Sequence, residues 1–87
     1  ILANSRIGNV RVALAKNQNI LEFIQMKLVD DNKFLTREEL AKNPNITEKV
    51  QFRLANDKSI YVREFLYENP NIKKEVRALL SEKIQIG

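Results

Sequence analysis

The sequence predicts an all-α fold of solenoid type, three helical-pair repeats of 26 residues preceded by a partial one, on three observations. A tetrapeptide recurs: Asn43-Pro44-Asn45-Ile46 returns as Asn69-Pro70-Asn71-Ile72 and, with glutamine for proline, as Asn17-Gln18-Asn19-Ile20, at intervals of 26 residues. On that period six columns are identical in all three units: Arg11/Arg37/Arg63, Leu14/Leu40/Leu66, Asn17/Asn43/Asn69, Asn19/Asn45/Asn71, Ile20/Ile46/Ile72 and Leu28/Leu54/Leu80. An apolar stripe at i, i+4 and i+8 runs through each unit as Ile20, Ile24, Leu28, then Ile46, Val50, Leu54, then Ile72, Val76, Leu80. That spacing marks one face of an α-helix turned to a core. A period of this length marks an array in which each unit buries its apolar face against its neighbours.

The units are residues 10–35, 36–61 and 62–87, and residues 1–9 form the tail of an earlier one. Ile1-Leu2-Ala3-Asn4 lies over Arg53-Leu54-Ala55-Asn56, so the chain is expected to be a fragment of a longer array. Each unit reads as two short helical segments. The first spans residues 60–68 in the third unit, with apolar Val62, Phe65 and Leu66, and stops where Pro70 excludes helical dihedrals from the residue before it. Asn45 stands three residues before Glu48, and Asn19 three before Glu22, the spacing of a capping box at the start of the second segment. Asn71 has Lys74 at that position, which predicts a weaker start. The polar clusters Asp30-Asp31-Asn32-Lys33 and Asn56-Asp57-Lys58-Ser59 are the turns between units.

Composition narrows the chemistry. Eighty-seven residues make one small domain, and 44% apolar content with two glycines and two prolines describes a folded, helix-rich chain. There is no cysteine and no histidine. This excludes disulfides, cysteine nucleophiles, the usual general base and most zinc or copper sites. Gly8 and Gly87 cannot form a glycine-rich phosphate loop, and Ser5, Ser59 and Ser81 have no histidine to activate them. The adjacent carboxylates Asp30 and Asp31 read as a solvated turn. The expectation is therefore no enzyme, no cofactor and no metal. No apolar run approaches the ~18–20 residues of a membrane span, so no membrane partner is expected and a reducing cytoplasm is the default setting. A formal net charge of +4 permits contact with nucleic acid without requiring it.

One stretch carries a family resemblance. Leu54-Ala55-Asn56-Asp57, followed by Val62-Arg63-Glu64-Phe65-Leu66 and then Asn69-Pro70, resembles the leucine-rich repeat variant, a relative in architecture of armadillo and HEAT repeats. The resemblance extends over essentially the whole chain. It implies paired helical segments stacked as a right-handed superhelix, and a binding role without an established reaction. This sequence departs from the pattern at Gln18, at Thr36, and at Leu21, Thr47 and Lys73, where that family commonly has proline. The iron–sulfur segment of the family's founding type cannot be carried over to a chain without cysteine.

Three sets of residues are candidates for binding. Arg11, Arg37 and Arg63 would form a ladder with rungs roughly 8–10 Å apart, able to meet every third phosphate of a strand, whose steps are about 3.4 Å. The alternative is that each guanidinium hydrogen-bonds a carboxylate or backbone carbonyl of the neighbouring unit, and that structural role is the favoured one. The columns Asn17/Asn43/Asn69 and Asn19/Asn45/Asn71 could hold an extended peptide, but their corner position favours satisfying backbone groups at helix ends. Met26 and Phe52 share a column about 200° from the core face. With Lys27 and Arg53 beside them, and Gln25 and Gln51 on the other side, they make a candidate partner surface. Burial against the adjacent unit is an equal alternative.

The function expected is thus a protein-interaction scaffold or module using Met26, Lys27, Phe52 and Arg53 toward a protein or peptide. The rival is a nucleic-acid-binding array whose basic face includes Arg11, Arg37 and Arg63. Leu2 at one end and Leu80, Ile84 and Ile86 at the other have no evident unit to cover them. Flanking repeats or end-to-end self-association are expected there.

Overall fold

The computed structural model describes the backbone of residues 2–84 and the side-chain environments of residues 9–83. Among the described residues the fold is all-α, with no strand. In chain order the helices are α1 (Leu2–Lys16), α2 (Glu22–Leu28), α3 (Phe34–Lys42), α4 (Glu48–Ala55), α5 (Ile60–Glu68) and α6 (Lys74–Ile84). The helix predicted over residues 60–68 is α5. Odd-numbered helices pack on one another, α1 on α3 and α3 on α5, while α2 packs on α4 and α4 on α6. Each even helix also lies against the odd helices before and after it where both exist, so one continuous core runs between two rows. The molecule measures 42 × 27 × 17 Å. No described helix is long and apolar enough to cross a membrane.

The core is the stripe read from the sequence, joined by its counterpart on the odd helices. Leu40, Val50, Leu54, Val62, Leu66, Val76 and Leu80 are fully enclosed, and Ile20, Ile46 and Ile72 are buried just ahead of the even helices. Enclosing one such side chain contributes about 1.5–3 kcal/mol. Ile24 is only half-buried, packed against the edge of the cluster. Leu80, expected at an uncovered end, is instead completely buried, because its stripe faces inward between the rows. The side chains of Leu2 and Ile84, and the whole of Ile86, lie outside the described residues.

The corner between helices is built differently from the expected capping box. The residue at the start of α4 is Thr47, not Asn45, and that of α2 is Leu21, not Asn19. None of Leu21, Lys33, Thr47 and Ser59 caps its helix with a side-chain hydrogen bond. The organiser is the first asparagine of each tetrapeptide. Asn17, Asn43 and Asn69 accept a hydrogen bond on Oδ1 from the backbone N–H two residues on, at 2.8, 2.9 and 3.0 Å. This Asx turn bends the chain out of the helix. It forms in the first unit without proline, since α1 ends at Lys16 ahead of Asn17-Gln18. Proline at positions 44 and 70 reinforces the corner but does not create it.

Candidate functional site

The polar columns were the first binding candidates, and the structure shows what each one touches. Asn43 Nδ2 donates to the carbonyls of Ala15 at 2.8 Å and Asn17 at 2.9 Å. Asn69 Nδ2 repeats this one period later, to Ala41 and Asn43, both at 2.9 Å. These are carbonyls freed at the ends of α1 and α3, which lack a partner within their own helix. Asn45 and Asn71 reach back in the same way, Nδ2 donating to the carbonyls of Gln18 at 2.7 Å and Pro44 at 3.2 Å. The asparagines do satisfy backbone at helix ends, as favoured from their position. They serve the end of the preceding odd helix rather than the start of the next even one.

The glutamines placed beside the candidate surface belong to the interior. Gln25 and Gln51 are buried. Gln51 Nε2 donates to the Ile46 carbonyl at 3.0 Å, and its Oε1 accepts from the Lys73 N–H at 2.8 Å. Gln25 does the same with Ile20 and Thr47, and its Nε2 also reaches the Asn45 carbonyl at 3.4 Å. One side chain thus closes a bond within its own unit and another to the next. The third unit has Arg77 in this column, donating to the carbonyls of Tyr67 and, at 2.8 Å, Asn69.

The arginine ladder is engaged in the same framework, but only its carbonyl partners lie in the neighbouring unit, whereas its carboxylate partners belong to the arginine's own unit. Arg37 Nε donates to Asp57 Oδ2 at 2.8 Å and Nη2 to Oδ1 at 3.4 Å, while Nη1 donates to the Asp31 carbonyl at 2.6 Å. Both side chains of this pair are buried, 6% and 5% exposed, so neither is offered to a strand of nucleic acid. Arg11 makes the matching pair with Asp31 at 2.5 Å and is 35% exposed. Arg63 donates from Nη1 to the Asp57 carbonyl at 2.5 Å, but its Nε is buried with no hydrogen-bond partner among the described residues. Asp31 and Asp57 are more than solvated turn residues. Besides pairing with arginine, each accepts from a backbone N–H two residues on, Lys33 at 2.8 Å and Ser59 at 2.9 Å, and so shapes the turn into the next odd helix. An aspartate recurring at a distance of twenty residues from an arginine was the available signal.

The outer face of the even helices is mixed. Met26 and Phe52 are half-buried and pack against the core cluster, because each even helix is flanked within its row as well as backed by the odd helices. Lys27 is exposed, with its ammonium 6.0 Å from the centre of the Phe23 ring. Arg53 is exposed and pairs with Asp30 at 2.6 Å. Phe23 is 62% exposed and Leu21 61%, but their counterparts one unit on are Lys49 and Thr47.

A different surface recurs in consecutive units. Phe34 and Leu35 open α3, Ile60 and Tyr61 open α5, and all four are exposed, Phe34 at 58% and Tyr61 at 62%. Between them lies a cleft of about 340 Å³ lined by Phe34, Arg37, Lys58, Ser59 and Tyr61. The sequence marks these pairs as apolar columns immediately ahead of Thr36 and Val62. They were not among the binding candidates, and the helix turns them outward while Thr36 and Val62 face the core. A second cleft of about 340 Å³ lies nearby, walled by Asp30, Asp31, Asp57, Arg37, Arg53 and Lys58. Most of its charges are already matched in the pairs above. Among the described residues no cluster of histidine, cysteine, aspartate or glutamate could hold a metal ion.

Comparison with known proteins finds no family model, no curated protein and no solved structure that matches this chain.

Proposed function

We propose that the chain is a right-handed α-solenoid of three 26-residue repeats, related to the leucine-rich repeat variant and armadillo/HEAT-like families, and acts as a non-enzymatic protein-interaction module. The hydrogen bonds from Asn43 to Ala15 and Asn17, reproduced from Asn69 to Ala41 and Asn43, support the repeat reading, since donors and acceptors both advance by one period. The observation that carries the binding reading is the exposed cleft between Phe34 and Tyr61. Exposed aromatic side chains flanking a concave apolar surface are what a soluble protein keeps for a partner. Aromatics carry much of the binding energy at such surfaces, and Lys58 at the rim favours a peptide with acidic residues beside an apolar anchor. The outer-face residues Met26, Lys27, Phe52 and Arg53 form a second contact region in this reading. Nucleic-acid binding is less well supported, because Arg11 and Arg37 are paired with carboxylates.

Peptides selected on the chain from a random display library provide the test. Phe34→Ser and Tyr61→Ser are each expected to weaken the selected peptides at least ~tenfold, about 1.4 kcal/mol, with the helical circular dichroism unchanged. Affinities insensitive to both, yet lost on Lys27→Glu or Arg53→Glu, would move the binding surface to the even helices. A chain that selects no peptide above background would end the proposal.

A further inference from the structure

The three arginines of the ladder share one mode of anchoring but not one state. In Arg11 and Arg37 the Nε and Nη2 edge holds both oxygens of an aspartate twenty residues on. In Arg37 and Arg63 the Nη1 group is tied to the carbonyl of the aspartate six residues before it. Arg63 therefore has the orientation of Arg37, yet position 83, twenty residues on, is lysine. The backbone differs there too. Where α4 has ended and given way to the turn that carries Asp57, α6 runs on to Ile84. The consequence is an Nε–H that is buried and has no acceptor among the described residues. A charged donor left in this state is costly and calls for an acceptor. The planar guanidinium fork matches a carboxylate in two parallel bonds, and this chain uses that fit twice.

We infer that Arg63 is a carboxylate-binding site, an open rung that accepts an aspartate or glutamate side chain from a partner. The inference stands on the ion-pair columns and does not require the Phe34–Tyr61 cleft. Three features support it together. The Nη1 bond to Asp57 holds the guanidinium in place before a ligand arrives. The residue is half-buried with its Nε enclosed, so a carboxylate entering along the exposed part of the side chain would meet that donor away from competing water. Position 83 carries lysine where the other units place an aspartate, so the chain supplies no carboxylate of its own at that position.

The test is an NMR titration of the 87-residue chain with sodium acetate, following the Nε–H resonances of the arginines against sodium chloride at equal ionic strength. Acetate is expected to shift the Arg63 resonance progressively downfield and to leave that of Arg37, whose site is occupied, unmoved. In Asp31→Ala the Arg11 resonance is expected to acquire the same response. In Lys83→Ala the Arg63 response is expected to persist, which keeps the test decisive if Asp31→Ala does not fold. No response at Arg63, a response matched by chloride, or its complete loss in Lys83→Ala would overturn the assignment. A larger shift with inorganic phosphate than with acetate would also overturn it and favour a phosphate-bearing partner.

Discussion

Thr36 occupies a column that holds valine at positions 10 and 62, and it is completely buried. Its Oγ1 has no hydrogen-bond partner among the described residues. A hydroxyl stripped of water and given nothing in return costs about 1–3 kcal/mol. Thr36→Val keeps the branched shape, removes the orphan group and restores the residue found in the neighbouring units. It is expected to stabilise the chain by about 1 kcal/mol, seen as a rise of roughly 4–8 °C in the midpoint of thermal unfolding. An unchanged or lower midpoint would mean that the hydroxyl is satisfied in solution. The buried pair of Arg37 and Asp57 shows the opposite treatment of polar groups. There every donor found has an acceptor, in bonds that also shape the turn ahead of α5.

Elements are joined by side chains whose bonds reach back twenty or more residues, so identical residues can differ in importance. Asn69 is buried and holds three main-chain groups, the carbonyls of Ala41 and Asn43 and the N–H of Asn71. Asn17 is exposed and, among the described residues, holds the N–H of Asn19 alone. Asn69→Ala is expected to cost about 2–4 kcal/mol, since it orphans buried carbonyls at the junction of α3 and α5. Asn17→Ala is expected to stay within about 1 kcal/mol, the range of exposed polar sites. Urea denaturation of the two variants checks this. Equal losses would show that the local turn, common to both, matters more than the link between units. The helix boundaries themselves were legible, because the recurring Asn-x-Asn-Ile tetrapeptide marks the corner after each odd helix and the apolar stripe runs the length of the even helices. The capping role was misread. Asn45 and Glu48 have the right separation, but the helix begins at Glu48 and the side chain of Asn45 reaches Gln18 instead.

At the scale of the molecule, α3 packs against α1 and α5 on its two sides and against the even row, and α5 packs against α3, α4 and α6, whereas α2 is short and lies at one margin. Stability summed over neighbour contacts then varies along the chain instead of being shared by all of it. Native-state hydrogen exchange is expected to be slowest at the amides of Leu40 and Leu66 and faster in α2. Uniform protection across the six helices would show a single cooperative unit. The charge distribution operates at this scale as well. Among the described residues Arg11, Arg37, Lys42 and Arg53 pair with acids, which leaves Lys58 as the cation of the proposed cleft without a carboxylate partner.

By itself the sequence determined the helical content, the period, the inward stripe of Ile, Val and Leu, and the absence of histidine and cysteine chemistry. These follow from spacing and composition, which act locally or repeat. Tertiary structure alone decided which polar columns are framework and which surface is open. Gln25 and Gln51 looked like part of an outer face and became buried, because their partners Thr47 and Lys73 lie twenty-two residues away in the next unit. Phe34 and Tyr61, which the sequence pattern left unassigned, are exposed at the openings of α3 and α5, while Thr36 and Val62 close by are turned inward. Three arginines identical in sequence came to differ only through what stands opposite them. Asp31 and Asp57 pair with two of them, whereas the Nε of Arg63, with lysine at position 83, has no acceptor among the described residues.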